Sequence, residues 1–278
     1  MKGLLKADFR RVRKDKLLPI LGILAVAFAV FLPLLYAVVF SGAGFELDDM
    51  TAAMISGLVS GKGLFFNAFS MGNNLGLIVP VLLAIILCKD FSYGTIRNKI
   101  IAGKSRSAIY LSLLVTCAVV LVAVILLHAF LTLGVSLLFF DYQPTPFTIR
   151  DLWYFLESLA FELLVLLFMA AMLSWLCASM KNLGLVIVLY VAITLASVMI
   201  GGILPIVLGV LEFTEDNNML IRLLTFFNRI NVGSAVSFIG TGTQYSTKDV
   251  LYLTVPPLLG ILGFTGMGLL TFRKKDLK

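Results

Sequence analysis

The sequence predicts an all-α, polytopic membrane protein with six transmembrane helices and both termini in the cytoplasm. Its composition is 60% hydrophobic and 13% charged, whereas soluble domains carry about 25% charged residues. Six apolar stretches reach or approach the roughly 20 residues that a helix needs to cross a bilayer. Lys and Arg also concentrate on alternate connections, as the positive-inside rule requires of cytoplasmic segments.

The charge distribution explains the net charge of +7 without a nucleic-acid partner. Seventeen of the 22 Lys and Arg residues lie in the four segments predicted to be cytoplasmic: 1–16, 89–107, the turn at Lys181, and 273–278. The same segments hold four of the 15 acidic residues: Asp8, Asp15, Asp90 and Asp276. The positive charge therefore indicates orientation in a membrane, and we predict contact with lipids but not with nucleic acid.

We predict a single transmembrane domain over residues 1–278. Its spans cover about residues 17–40, 64–88, 108–139, 152–179, 183–211 and 250–272. The first span is longer than the roughly 7–15 apolar residues of a signal peptide, so it is predicted to remain as an anchor. Gly201, Gly202 and Pro205 predict a break near the outer end of the fifth span.

Residues 1–16 are predicted to form an amphipathic helix in the headgroup layer. Leu5, Phe9 and Val12 are spaced i, i+4, i+7, and basic residues occupy the adjacent face. Such a helix directs apolar side chains toward the acyl chains and cations toward anionic lipid. The alternative is a solvated basic leader that only sets the topology.

The segment 89–107 is a basic, turn-rich connection between two apolar spans. A short helix is predicted from Thr95, which can cap it, to Gly103, which suits a left-handed C-terminal position. Ser105 or Ser107 then caps the third span. Ile96, Ile100 and Ile101 form an apolar stripe on this helix, which is too short to be stable in water alone. The stripe should be buried against lipid, against the chain's own spans, or in a groove on another protein.

No cofactor, metal or catalytic site is predicted in this chain. Gly103-Lys104-Ser105 matches the end of a P-loop, but position 98 is Asn and the preceding residues are predicted to be helical. The single histidine, His128, excludes an HExxH zinc site. The chain is therefore predicted to be no enzyme and to bind no ATP by itself.

Polar residues inside the predicted spans are the candidates for a translocation path. His128 lies in the third span and Glu162 in the fourth, where ionisable side chains are costly. Asn73 and Asn74 lie in the second span and should face protein. The alternative for His128 is a hydrogen bond to a neighbouring helix, and for Glu162 a structural hydrogen bond or ion pair.

Two features are predicted toward the C-terminus. Residues 212–249 form the longest outer loop and include an amphipathic patch at 219–227. Gly260, Gly263 and Gly266 recur every three residues near one face of the sixth span, which permits close helix packing.

The segment 89–107 resembles a loop that occurs in a known protein family. The sequence Lys89-Asp90-Phe91-x-x-Gly94-Thr95-Ile96-Arg97-Asn98, followed by Ser105-Arg106 and a long span, is similar to the first cytoplasmic loop of ABC-2-type transporter permeases. The closing segment 272–277 also resembles the C-terminus of that family. Position 89 is Lys where many relatives carry an acidic residue, and Asp90 is the adjacent acid.

The resemblance implies the membrane subunit of an exporter in the plasma membrane, paired as a homodimer or heterodimer. Separate ABC ATPase subunits would hold ATP and Mg²⁺ and receive a coupling helix. That role would fall on six residues of this chain: Phe91, Gly94, Thr95, Ile96, Arg97 and Ile100. An apolar path with few charges favours a hydrophobic or amphipathic substrate, such as a peptide, an antibiotic or a lipid-like molecule. The alternative is a non-ABC channel, or an accessory or signalling subunit that recruits a cytosolic partner through 89–107.

Overall fold

The computed structural model describes most of the chain. It covers residues 2–42, 60–69, 95–140, 148–180, 182–212, 218–234 and 244–274, together with 82, 85, 86, 89, 90 and 239. Every regular element within these residues is a helix, and several of the helices are long and apolar. The chain is therefore an all-α, polytopic membrane protein, as predicted.

Nine helices lie in the described part of the chain. They are α1 (Lys2–Lys14), α2 (Leu17–Gly42), α3 (Gly61–Asn67), α4 (Thr95–Ile101), α5 (Arg106–Phe139), α6 (Ile149–Ser179), α7 (Leu183–Glu212), α8 (Asn218–Ile230) and α9 (Thr247–Lys274). Helices α2, α5, α6, α7 and α9 are long and apolar enough to cross a membrane. Their bounds agree closely with five of the six predicted spans. The predicted span 64–88 falls largely outside the described residues.

Helices α5 and α6 form the centre of the bundle. The most apolar windows of these two helices are 67% and 61% buried, against 22% or less for α2, α7 and α9. Helix α2 packs on α5, α9 packs mainly on α6, and α7 contacts α6. The outer surfaces of α2, α7 and α9 are rich in exposed aliphatic side chains. Because lipid tails are themselves apolar, these surfaces are suited to contact the bilayer.

The two ends of the bundle differ in charge. At one end, which we call the basic face, the Arg106 guanidinium at the start of α5 donates to the Arg273 carbonyl near the end of α9, at 2.8 Å. Helices α1 and α4 lie at this same end. At the opposite end, Lys62 in the first turn of α3 pairs with Asp151 at the start of α6. The first and last helices therefore reach the same end of the bundle, as the charge distribution predicts.

Aromatic side chains join the elements at the end opposite the basic face. Phe65 of α3 stacks on Phe155 of α6, with ring centroids 5.6 Å apart. Tyr154 stacks on Tyr245, which precedes α9, and the Tyr245 hydroxyl lies 2.9 Å from the Ser158 hydroxyl. These contacts connect α3, α6 and the segment before α9, which are far apart in sequence.

The predicted break in the fifth span is wrong. Helix α7 continues through Gly201, Gly202 and Pro205 to Glu212. A membrane helix can continue through a proline, because neighbouring groups satisfy the backbone groups that the proline leaves without a hydrogen bond. The predicted outer loop 212–249 contains α8 at the predicted amphipathic patch; α8 packs against α7, and a short helical turn follows at 232–234.

This returning segment reaches the middle of α7. The Asn231 amide donates to the Ser197 carbonyl at 2.7 Å, and the Ser197 hydroxyl accepts from the Gly233 N–H at 3.0 Å. Ser197 lies near the midpoint of α7. Residues 231–234, which we call the tip, therefore fold back along a membrane helix. A Cβ atom at Gly233 would lie 2.5 Å from the Ser197 backbone, so glycine is required for this approach.

The glycines of α9 serve packing only in part as predicted. A Cβ atom at Gly260 would lie 2.3 Å from the Phe168 ring of α6, so Gly260 permits close contact. Gly263 and Gly266 have open space around them. Gly268, which is not part of the predicted three-residue repeat, also permits close contact. A Cβ atom at this position would lie 1.9 Å from the Tyr110 hydroxyl of α5.

Alanine at Gly201 should destabilise the protein, whereas alanine at Gly202 should not. A Cβ atom at Gly201 would lie 2.9 Å from the Ser234 backbone, but one at Gly202 meets nothing within 4 Å. We expect Gly201→Ala to cost about 1–3 kcal/mol through overpacking, and Gly202→Ala to gain up to about 1 kcal/mol of helix propensity. Thermal unfolding in detergent measures both. Equal effects of the two substitutions would contradict the placement of the tip.

Candidate functional site: an ionic cluster that holds α4

Helix α1 is packed into the bundle by one face. Leu4, Asp8 and Val12 lie on successive turns and are buried, mainly against α5. Leu5 and Phe9 of the predicted lipid-facing stripe are only half-buried, and the basic residues Lys6, Arg10, Arg13 and Lys14 are exposed. The predicted helix is therefore present, but its most buried row contains a carboxylate that the amphipathic pattern did not single out.

Asp8 connects three helices. Its side chain is 1% exposed. One oxygen lies 2.5 Å from the Lys99 ammonium of α4, and the other accepts a 2.6 Å hydrogen bond from the Ser112 hydroxyl of α5. A buried carboxylate requires such partners because its desolvation would otherwise be costly. Asp8 therefore ties α1 to both α4 and the start of α5.

Asp90 is a second buried carboxylate at the basic face, with a fully buried side chain. It pairs with Arg11 of α1, and the Lys99 ammonium lies 3.7 Å from its Oδ2 atom. The Thr95 hydroxyl donates to Asp90 Oδ1 at 2.9 Å. Thr95 was predicted to cap the start of α4, and its hydroxyl links that start to Asp90.

A third ion pair completes the group. The Lys89 ammonium lies 3.1 Å from Asp15, whose carboxylate also accepts the Leu17 N–H at 3.0 Å. We call the six charged residues of these pairs the ionic cluster: Asp8, Arg11, Asp15, Lys89, Asp90 and Lys99. Its three carboxylates balance its three cations. Three of the four acidic residues in the basic segments thus join α1 and Asp15 to Lys89, Asp90 and α4.

The surroundings of the cluster alter two pKa values. Burial lowers the pKa of the Arg11 guanidinium, and the charges of Asp8 and Asp15 oppose that shift. Burial favours a higher pKa for Asp15, but the Leu17 N–H and Lys89 outweigh it, so the pKa of this carboxyl lies below its ordinary value of 3.8. The Asp15 carboxyl is therefore charged at neutral pH.

The cluster specifies position more than it adds stability. A buried ion pair is often no more stable than apolar residues of the same volume, but removal of one partner leaves an unpaired buried charge and costs about 3–5 kcal/mol. Lys99 faces both buried carboxylates: it is the cation paired with Asp8, and it lies beside Asp90 as a second cation after Arg11. This arrangement fixes α4 relative to α1 and α5.

The orientation of α4 decides which of its residues face outward. Ile96 is fully buried, and Ile100 packs partly against the core, so the chain's own helices cover this part of the predicted stripe. Ile101 is 74% exposed.

Helix α4 stops before Gly103, as predicted. Gly103 has a φ of 75° and lies in a Schellman motif, in which the Lys104 N–H donates to the Lys99 carbonyl.

The outward surface of this segment forms a small mixed patch. Its exposed members, which we call the docking face, are Arg97, Asn98, Ile101 and Lys104. Of the residues to which the resemblance assigns coupling, only Arg97 belongs to this face, while Thr95, Ile96 and Ile100 point inward. Phe91 and Gly94 lie outside the described residues. Ile101 was recognised as part of the apolar stripe, but its exposure depends on which side of α4 the cluster holds inward.

The candidate path residues His128 and Glu162 lie on the two central helices, α5 and α6. His128 of α5 is buried, and its ring lines a cavity of about 10 Å³ with Tyr36 of α2, Asn67 of α3 and Thr132. Glu162 is buried in α6 and does not line that cavity. Asn73 and Asn74 lie outside the described residues. Among the described residues, no group of three His, Cys, Asp or Glu side chains could hold a metal ion.

A known protein family matches most of the chain. A family described as "protein of unknown function (DUF2705)" matches residues 34–278. The chain belongs to the DUF2705 family. The matched region of this DUF2705 protein contains Lys89, Asp90 and Lys99 of the ionic cluster and begins after α1. No curated protein matches the chain.

Loss of the Lys99 charge should destabilise the protein far more than loss of the neighbouring Lys104 charge. Lys99→Met leaves Asp8 and Asp90 without their shared cation, which should cost about 3–5 kcal/mol. Lys104 is exposed, so Lys104→Met should stay within about 0.5 kcal/mol. Thermal unfolding in detergent compares them, and indistinguishable melting temperatures would contradict a buried role for Lys99.

The Asp15–Lys89 contact should be lost only in acid. Because the folded pKa of Asp15 lies below the ordinary value, its stabilising contribution is present above about pH 4 and disappears as pH falls through the folded pKa. Asp15→Asn should therefore lower the melting temperature at pH 7 but not near pH 2, relative to the unchanged chain. A difference that persists unchanged into that acid range would contradict the assignment.

Proposed function

We propose that this chain is the membrane subunit of an ABC exporter of the plasma membrane. Two permease subunits, identical or different, would form the translocation path. ATP hydrolysis would take place on separate ATPase subunits that carry ATP and Mg²⁺. The proposal is supported by the resemblance of segment 89–107 to ABC-2-type permease loops and by the membrane fold.

The observation that carries the proposal is a rigidly held, outward-facing short helix at the basic face. Two buried carboxylates and the buried Ile96 side chain hold α4 from within. Arg97, Ile101 and Lys104 remain exposed on the other side. An exposed large aliphatic side chain between two cations suits a partner groove that has an apolar centre and an acidic rim.

Movement of α4 would be passed to the spans through the ionic cluster. Asp8 contacts both Lys99 of α4 and Ser112 of α5, and α1 leads within two residues into α2. Helix α5 is 34 residues long, or about 51 Å at 1.5 Å per residue. A push on α4 would therefore act on two spans together, at the cytoplasmic end of the bundle.

The substrate we propose is hydrophobic or amphipathic, as a peptide, an antibiotic or a lipid-like molecule is. The five spanning helices present few charged side chains, and the membrane surfaces of α7 and α9 are aliphatic. His128 and Glu162 are buried polar groups on the two central helices. They are candidates to line the path when the subunits rearrange.

Ile101→Glu should release the ATPase without unfolding the chain. A carboxylate in place of an exposed anchor side chain would remove the apolar contact and place negative charge against an acidic groove rim, so retention of co-expressed ABC ATPase subunits should fall about tenfold or more. Leu138→Glu is the matched control, because Leu138 is 78% exposed at the other end of α5. Co-purification and ATPase activity measure the effect.

Ile96 gives the complementary control. Because this side chain is buried within the chain's own core, Ile96→Glu should reduce folded yield, whereas Ile101→Glu should not. Retention of the ATPase by a well-folded Ile101→Glu variant would contradict the proposed docking face. Failure of any ABC ATPase to co-purify with the unchanged chain would favour a channel or a signalling subunit.

A further inference from the structure

The tip beside α7 closes one side of an apolar cavity. The cavity has a volume of about 60 Å³ and lies between α6, α7 and the tip. Phe168, Met169 and Met172 of α6 form its inner wall, and Val232 of the tip contributes another side. The position places it at mid-span, where α7 meets the tip through Ser197.

The hydroxyl groups at the cavity are already used by protein partners. The Thr194 hydroxyl donates to the Tyr190 carbonyl at 2.8 Å. The Ser197 hydroxyl donates to Asn231 at 2.5 Å and accepts from the Gly233 N–H. A buried water needs two to four polar partners. The remaining lining is aliphatic, aromatic and thioether, so the cavity favours an apolar occupant.

The cavity also opens toward the lipid-facing side of α7. Two of its lining residues, Ile193 and Val198, are 43% and 40% exposed, on a helix whose main contacts within the described residues are with α6 and α8. The exposed surface of α7 consists of aliphatic side chains along most of its length. Since α7 is a membrane span, the molecules that meet this opening are the acyl chains of the bilayer.

The size of the cavity limits what can enter. A volume of about 60 Å³ exceeds the ~10–15 Å³ that one water requires and is below the ~150 Å³ cavity that holds benzene. The space therefore suits the end of one hydrocarbon chain and excludes a whole lipid or a ring system. Methionine side chains such as Met169 and Met172 adapt readily to flexible apolar partners.

We propose that this cavity binds the end of one acyl chain of a membrane phospholipid, which enters sideways between α6 and α7 and contacts the tip. The bound chain lies against Val232 and beside the Ser197–Asn231 contact, so its presence and the position of the tip depend on each other. The inference rests on the membrane location of α7. It uses the proposed exporter function only if the bound lipid is also the transported molecule.

Photolabelling of the full chain tests this proposal. The chain is placed in vesicles of phosphatidylcholine and phosphatidylglycerol with a trace of phosphatidylcholine that carries a diazirine near the end of one acyl chain. After irradiation, mass spectrometry should find adducts on Phe168, Met169 or Met172, although these residues lie on the mostly buried α6. Met172→Trp should reduce the α6 adducts about fivefold or more, because a larger side chain fills the space in a closely packed interior.

Two further variants keep the test decisive. Val188→Trp changes an exposed position of α7 that does not line the cavity and should leave the α6 adducts unchanged. Thr194→Leu narrows the same cavity from the α7 side and should reduce the adducts if Met172→Trp does not fold. Labelling of exposed α7 residues without α6, or α6 adducts that neither filling variant reduces, would overturn the proposal. No ATPase is present, so the outcome is independent of the proposed export function.

Discussion

The arrangement at the basic face depends on the burial of two carboxylates, Asp8 and Asp90, that cannot remain unpaired. Asp8 reaches Lys99 and Ser112, while Asp90 reaches Arg11, Thr95 and Lys99. The contacts with Lys99 of α4, Ser112 of α5 and Arg11 of α1 each cross between elements. Because unpaired burial of either charge would be costly, α1, α4 and the start of α5 are constrained to meet at one place. The exposed face of α4 follows from that constraint.

The spans could be predicted from composition because burial in lipid imposes long apolar runs, and five described helices match their predicted limits. The end of α7 was predicted wrongly because glycine and proline weaken a helix by local propensity, whereas tertiary contacts decide whether it breaks. Ser234 packs on Gly201, so that glycine reflects close approach and not a bend. The amphipathic pattern at 219–227 predicted an apolar face, but it did not indicate that α8 packs against α7.

The location of the candidate site could be predicted, but the ion pairs within it could not. The basic segment 89–107, the short helix and the Gly103 stop all follow from local signals, which operate over a few residues. The pairings Asp8–Lys99 and Arg11–Asp90 join positions about eighty or ninety residues apart, and one sequence carries no local signal for such contacts. The local signal that could have indicated these pairs is the presence of single acidic residues in otherwise basic segments. A carboxylate among many cations is a candidate partner for an ion pair. Without these pairings, the choice between Ile96 and Ile101 as the outward residue could not be made.

The most direct test of this account is a double-mutant cycle on Arg11 and Asp90. The unfolding free energies of Arg11→Met, Asp90→Asn and the double variant are measured in detergent and compared with that of the unchanged chain. If the pair holds α1 to the segment that leads into α4, the two changes should be non-additive by about 1–3 kcal/mol. Additivity within about 0.5 kcal/mol would show that the two residues do not act together, and it would contradict the claim that the ionic cluster positions α4.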